Sequence, residues 1–413
     1  MFRSRSPEII CLFISLLLPR PSATAVAKQA IPSYNANERT KTGIDVLEQQ
    51  GFAPLRGKRV GLITNQTGID FEGRRTIDVL ARARGVKLAA LFSPEHGISG
   101  QADVPLGDST DAATGLRIYS LFGQTRRPTP EMLRGVDALV FDIQDAGVRF
   151  YTYITTMAYC MEEAAKLHIP FYVLDRPDPL GGEVIEGPKL DADRTSFVGY
   201  FPMPVRYAMT LGELAKMFNA ENKLGADLHV VAMNGWRRSE TYDQTGLRWV
   251  PPSPNLRTLH AVFLFPGIEI LQASGVSVGR GTDAPFELFG APWVRADELT
   301  QALNRARIPG VQFAPAEFTP VSDLYSGQSC QGVTIEITDG KALNPMLMGI
   351  EIAKVLQRLY PKRLQVQKMI ELLGSASTIE RLMRGDAAAQ IVNGWSDGIG
   401  QFRRTREKYL LYH

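Results

Sequence analysis

Cysteine is nearly absent from the chain: Cys11, Cys160 and Cys330 are the only three in 413 residues. No CxxC pair exists, so neither a disulfide framework nor a thiolate zinc site is written into the sequence. Histidine is almost as scarce. The five residues never fall at His-x-x-x-His spacing, which leaves little for a histidine metal centre. An excess of one charge sign is missing too, with 46 Lys and Arg against 43 Asp and Glu. A net charge of +3 gives no strong pull toward nucleic acid or a membrane surface. No Gly-x-Gly-x-x-Gly follows the first predicted strand and no Walker A sequence occurs, so the dinucleotide and ATP-loop readings fall away. What is present, 44% hydrophobic and 22% charged residues, is ordinary for a soluble globular protein. At about 150 residues per domain, the length predicts two domains.

The first segment reads as a leader rather than as fold. Arg3 and Arg5 precede the apolar run Ile9 to Leu18, and Ala23-Thr24-Ala25-Val26-Ala27 offers an A-x-A-type cleavage site. The run falls short of the ~20 residues a spanning helix needs. Cys11 lacks the small-residue surroundings of a lipoprotein site. Residues 1–27 are therefore predicted to be a signal peptide, with the protein exported to the periplasm or the exterior. No stable membrane insertion is expected after cleavage. Export permits a disulfide, yet Cys160 in an apolar helical stretch and distant Cys330 are expected to stay free.

From about residue 40, short apolar runs alternate with helical patterns. Predicted strands are Lys58 to Thr64, Lys87 to Phe92, Leu116 to Leu121, Ala138 to Ile143, Pro170 to Asp175 and Leu228 to Met233. Helical patterns cover Asp70 to Ala83, Thr129 to Leu133, Ile154 to Leu167 and Thr210 to Glu221, the last opened by the capping box Thr210-Leu211-Gly212-Glu213. Strands apolar throughout and separated by helices imply a parallel sheet covered on both faces. The fold class is α/β, with a Rossmann-like parallel-sheet N-terminal domain over 40–255 and a C-terminal α+β domain over 260–413. In the second half AVFLFPGIEIL, VQFAPAEFTPV and CQGVTIEITDG read as strands. Helices are predicted at Ala296 to Arg307, Pro345 to Tyr360 and in several pieces from Val366 to Tyr412. The Pro-rich stretch Val250 to Asn255 forms the joint.

Ligands of open α/β sheets bind beyond the carboxyl ends of the strands. The loops predicted there are polar: Asn65 to Gly68, Ser93 to Gly97, Gln144 to Tyr153 and Arg176 to Gly182. They bring Glu95, His96, Asp142, Asp145 and Arg149 to one rim with amides, hydroxyls and rings such as Tyr151. Carboxylates for acid–base work, rings for sugar faces and amides for hydroxyls suit a carbohydrate. Glu95, between Pro94 and His96-Gly97 directly after a buried strand, should be held rigidly and partly desolvated, as a general acid requires. The structural alternatives are turn caps for Asp142 and Asp145, a core His96, and an Arg149 that pairs with one of those aspartates instead of a substrate carboxylate. A second polar set, Asn255 and then Arg280, Thr282 and Glu287 in GRGTDAPFE, is expected to touch substrate. Its alternative is a tight interdomain turn with Arg280 tied to Glu287.

Competing chemistries have weaker support. Gly275-Val276-Ser277-Val278-Gly279 matches the nucleophile elbow, but RGTDAPFELFGAPW after it is no helix, so a serine hydrolase using Ser277 lacks its setting. A metal hydrolase would have to use His96 with Asp142 and Asp145. A non-catalytic cell-envelope sugar-binding protein would fit the same polar rim without needing a rigid Glu95.

The strings GLITNQTG, LFSPEHGISG, VFDIQDAGVRFYTY, VLDRPDPLGG, RWVPPSPN, VSVGRGTDAPFE and GAPW, in this order, resemble the NamZ-type exo-β-N-acetylmuramidases, a family long known as a domain of unknown function. The resemblance runs from about residue 45 to the C-terminus. It implies a Rossmann-like domain and an α+β domain with the active site in the cleft between them. It also implies release of N-acetylmuramic acid from the non-reducing ends of peptidoglycan fragments. Glu95, in SPEHG, matches the family's catalytic glutamate. Asp142, Asp145 or Glu287 would then supply the second group, and Arg149 or Arg280 would hold the lactyl carboxylate of the sugar. No cofactor is implied, and the partners are peptidoglycan-derived saccharides rather than nucleic acid. The chain departs from the family where a segment resembling EGTN is common: it has Gln272-Ala273-Ser274-Gly275.

Overall fold

The computed structural model describes residues 40–413; the leader predicted over 1–27 lies outside them. Seven strands form the first sheet. They are β1 (Arg59–Thr64), β2 (Lys87–Ser93), β3 (Ser109–Thr110), β4 (Arg117–Ser120), β5 (Ala138–Asp142), β6 (Phe171–Leu174) and β7 (Leu228–Val231). Their spatial order is β3-β4-β2-β1-β5-β6-β7. Every pair is parallel except the two-residue edge strand β3 on β4. Without β3 the order is that of a dinucleotide fold, and the winding reverses between β1 and β5. The ladder from Val60↔Ala138 to Thr64↔Asp142 holds these two strands together at that point. Residues of β5 and β6 are buried throughout, which is why they read as unbroken apolar runs.

The helices of this half are α1 (Gly43–Gln49), α2 (Thr76–Arg82), α3 (Tyr153–Lys166) and α4 (Leu211–Glu221). The capping box of α4 forms as its sequence predicts: Thr210 Oγ1 accepts from Glu213 N, and Glu213 Oε2 accepts from Thr210 N. The Asp70 to Ala83 pattern shortens to α2, because Asp70 instead closes a turn by accepting from the Arg74 amide. Thr129 to Leu133 is a turn rather than a helix.

The second half contains α5 (Leu259–Ile268), a 3-10 turn at Glu269–Ser274, β8 (Leu288–Ala291), α6 (Ala296–Ala306), β9 (Val311–Phe318), β10 (Cys330–Ile337) and α7 (Pro345–Leu359). Short helices α8 (Ile370–Leu373), α9 (Ala376–Arg384), α10 (Ala388–Asn393) and α11 (Ser396–Arg406) finish it. An antiparallel sheet β8-β10-β9 confirms the α+β character. AVFLFPGIEIL, expected as a strand, is α5 and the turn after it. Thr258 Oγ1 caps the helix by accepting from Ala261 N. The helix is apolar on nearly every side because it is buried between elements, so it shows no 3.6-residue period to read. One hydrophobic core runs through both halves. Phe150 meets Phe265 edge-on, and Phe265 meets Phe286 in the same way.

Candidate functional site

The loops after β1, β2 and β5 converge where the sheet reverses its winding. After β2 the chain makes a turn closed by Gly97 N donating to Pro94 O, with Glu95 and His96 as its central residues. His96 has φ 69. A positive φ at the third position is what a type II turn demands. A non-glycine residue held there marks a backbone fixed by its surroundings. The neighbouring loop lies close enough that a Cβ on Gly100 would collide with the side-chain amide of Gln66, and Gln66 in turn donates to Pro251 O at 2.7 Å. The joint between the halves is thereby tied to the β1 loop.

Half-buried Glu95 accepts a hydrogen bond on Oε2 from Thr152 Oγ1 at 2.5 Å, just ahead of α3. Next to Thr152, Tyr153 donates its hydroxyl to Pro252 O at 2.5 Å, and the Asn65 side chain acts on the same hydroxyl. Asn65 is also the acceptor for the amide and hydroxyl of Thr67, which shapes the β1 loop. His96 Nδ1 lies 2.7 Å from Ala102 O and 3.2 Å from Asp103 Oδ1. A carbonyl only accepts, so Nδ1 carries the proton and Nε2 is left as the second functional nitrogen. Asn255 Nδ2 donates to Asp103 Oδ2 at 3.0 Å. Hydrogen bonding from His96, with help from Asn255, holds the Asp103 carboxyl below its usual range.

The second half adds charge to the same neighbourhood. Arg280 Nη2 donates to Glu269 Oε1 at 2.7 Å, and its Nε is 4.0 Å from Asp323 Oδ2. The guanidinium lies over the Phe286 ring and also acts on Asp103. Burial raises the Glu269 carboxyl; Arg280 opposes this, while the negative charges of Asp323 and Glu95 add to the rise. Its Oε2 has no hydrogen-bond partner among the described residues. One cation therefore sits among several acids beside the Glu95 turn.

Several expected site residues lie elsewhere, each for a definite reason. Asp142 is wholly buried. Arg176 Nε and Nη2 donate to its two oxygens at 2.6 and 2.9 Å, and the Thr76 hydroxyl donates as well. That closes it to substrate. Asp145 is also buried, accepting from the Tyr207 hydroxyl and from Gly147 N, and burial lifts its carboxyl to about 6. Arg149 does not face the rim and pairs with neither aspartate. Its Nη1 donates to Pro188 O and Met203 O, and its Nη2 to Leu372 O and Leu373 O in α8. Tyr151 is buried edge-on to Tyr153 and Phe265. Glu287 is engaged by the Thr258 hydroxyl and by His260, whose hydrogen bonds outweigh burial and hold it low. Arg280 is thus tied to Glu269 rather than to Glu287. Thr282 folds its hydroxyl onto Gly279 O inside its own turn. Ser277 is bridged to Gly290 by both backbone bonds and is followed by turns, which removes the nucleophile elbow. The metal reading loses two of its three residues, because Asp142 and Asp145 are engaged in the interior away from His96, and no metal-holding group of three or more His, Cys, Asp and Glu occurs among the described residues. Gln272 lies at the edge of the site, with Nε2 3.5 Å from Asp323 Oδ2.

Four neighbours of the rim carried no sequence signal of their own: Thr152, Asp103, Glu269 and Asp323. Thr152 could have been found only as a hydroxyl next to the helix that follows β5. Glu269 was hidden inside a segment read as a strand.

Similarities to known proteins cover both halves. The model "Exo-beta-N-acetylmuramidase NamZ, N-terminal" matches residues 60–260, and the corresponding C-terminal model matches 263–412. A peptidoglycan β-N-acetylmuramidase NamZ of Bacillus subtilis (strain 168) is 44% identical over 379 residues, 91% of this chain and 92% of that protein. A DUF1343 family protein from Bacteroides fragilis NCTC 9343, known from a crystal structure, has a TM-score of 0.84 at 42% identity; 91% of this chain and 100% of that chain are covered. A second from the same organism has a TM-score of 0.74 at 30% identity, covering 91% and 99%.

Proposed function

The chain belongs to the NamZ family of exo-β-N-acetylmuramidases, and from that premise we propose that it is a glycosidase that releases N-acetylmuramic acid from the non-reducing ends of peptidoglycan fragments. The observation that carries this reading is the placement of Glu95. It stands in a fixed turn at the reversal point of the sheet, half-buried, with one carboxyl oxygen held and the other without a hydrogen bond among the described residues. A carboxyl so placed can give its proton to a departing glycosidic oxygen. The second role in the reaction goes to an acid near that turn, Glu269 or Asp103, because Asp142, Asp145 and Glu287 are engaged elsewhere. Arg280, with donors beyond the one given to Glu269, is the cation suited to the lactyl carboxylate. The second half, which supplies Arg280 and Asp323, walls one side of the cleft, as an exo enzyme requires. Export through the predicted leader would bring the enzyme to its polymer.

The test is to incubate the chain from residue 28 onward with a chromogenic β-N-acetylmuramide, with its glucosaminide counterpart and with a β-N-acetylmuramyl-N-acetylglucosamine disaccharide, whose poor leaving group needs the acid, beside Glu95→Gln. Chromogen release from the muramide alone, and disaccharide cleavage that is lost in the variant, are the expected results. Disaccharide cleavage that survives the substitution would move the acid to another residue. No release from either sugar by the folded protein would favour a sugar-binding protein.

A further inference from the structure

Thr152 directly precedes α3, but its backbone is already helical, at φ −73 and ψ −11, and not extended as in a capping threonine that turns its hydroxyl onto the first amides of its own helix. Here the hydroxyl makes no such cap. The register of the first turn is met by the backbone instead, as Thr155 N and Thr156 N both donate to Thr152 O. The freed hydroxyl donates across the rim to Glu95 Oε2 at 2.5 Å. Thr152 is only 9% exposed, so water competes little for this bond. Glu95 Oε1 has no hydrogen bond among the described residues.

We propose that Thr152 is the positioning residue for the Glu95 acid: its hydroxyl holds Oε2 and thereby leaves the transferable proton on Oε1, the oxygen that meets the glycosidic bond. The proposal rests on the reading of Glu95 given above. In the step itself the Oε1–H bond breaks and the proton joins the leaving glycosidic oxygen. The C1–O bond breaks with its electron pair going to that oxygen, the positive charge left on C1 and the ring oxygen is met by a water whose lost proton goes to the second acid, and the new negative charge on Glu95 spreads over both carboxyl oxygens. A hydrogen bond to a carboxylate is about twice as strong as one to a neutral acid. The Thr152–Oε2 bond therefore strengthens as the proton leaves. The benefit arises in the transition state and not in substrate binding.

The experiment compares the wild type, Thr152→Val, Thr152→Ser and Glu95→Gln on two substrates. One is a β-N-acetylmuramyl-N-acetylglucosamine disaccharide, whose poor leaving group needs the proton. The other is an aryl β-N-acetylmuramide with a strongly activated leaving group that needs it little. Valine keeps the branched shape of threonine and loses only the hydroxyl. Thr152→Val is expected to lower kcat on the disaccharide roughly 10- to 100-fold, part of the general-acid contribution. KM should change little, and activity on the activated substrate should fall far less. Thr152→Ser should restore most of the loss. Because the ratio of the two rates is taken within one sample, a partly unfolded fraction cancels. An equal loss on both substrates, a loss confined to KM, or failure of serine to restore activity would overturn the proposal. Full activity of Glu95→Gln on both substrates would overturn the reading of Glu95, and the proposal with it.

Discussion

Arg149 separates the two accounts of this protein most sharply, since the sequence makes it a ligand for the substrate carboxylate and the structure makes it a clamp. The perturbation is Arg149→Met, which keeps length and apolar bulk but removes the guanidinium. Four backbone carbonyls, those of Pro188, Met203, Leu372 and Leu373, would lose their donors in a buried setting. Hydrogen bonds to a charged group contribute about 1.5–3 kcal/mol each. Against them stands the burial of the charge, which pushes the Arg149 pKa down to about 9, a penalty on the order of 5 kcal/mol. The difference is a loss of about 1–7 kcal/mol, and the usual result of removing one side of a buried charged contact, about 3–5 kcal/mol, falls in the middle of that range. For a chain this long that should lower the melting temperature by roughly 5–10 °C. The assay is thermal unfolding followed by circular dichroism, run beside kinetics on the muramide and the glucosaminide below the melting range. Muramide preference should persist. An unchanged melting temperature with selective loss of muramide hydrolysis would refute the clamp and return Arg149 to the substrate.

Arg280→Gln, which leaves Glu269 in place, is expected to raise KM for the muramide by about tenfold or more while leaving whatever rate the glucosaminide has. An equal effect on both sugars would remove Arg280 from lactyl recognition. Burial lifts the Asp178 carboxyl from 3.8 to about 7, so the folded protein binds this proton more tightly than the unfolded chain does. Ionisation of Asp178 therefore opposes folding, increasingly as pH rises from about 4 and fully above about 7. Asp178→Asn should raise the melting temperature relative to wild type at pH 8 more than at pH 5, and a difference independent of pH would show that this carboxyl titrates normally.

The legibility of the fold differs from that of the site for physical reasons. Strands β1, β2, β5 and β6 are buried in a covered parallel sheet, so each appears as an unbroken apolar run, and the capping box at Thr210 marks the start of α4. Helix α5 reads as a strand from its sequence because a helix buried all round has lost the periodicity by which helices are recognised. Glu95 and His96 were visible since they follow a strand end in a turn with its own composition. Partners were not visible. Asp142 and Arg176 meet across the ends of β5 and β6, and nothing local distinguishes such a pair from two catalytic candidates. Thr152 and Glu269 reach the rim only through contacts between segments far apart in the chain, and Asp103 does so through a loop that turns back onto nearby His96 and meets distant Asn255.

By itself the sequence determined the class of sheet, the strand ends on which the loops would stand, the turn bearing Glu95 and, through its motifs, the family. These follow from local composition, because burial and turn geometry act on neighbouring residues. The tertiary structure alone decided which polar side chains face the rim and which are locked in the interior. That choice turns on the distance from one charge to the next, and such distances are set by folding distant segments together: Arg149 onto the carbonyls of α8, Arg280 onto Glu269, and the hydroxyl of Thr152 onto the carboxylate of Glu95.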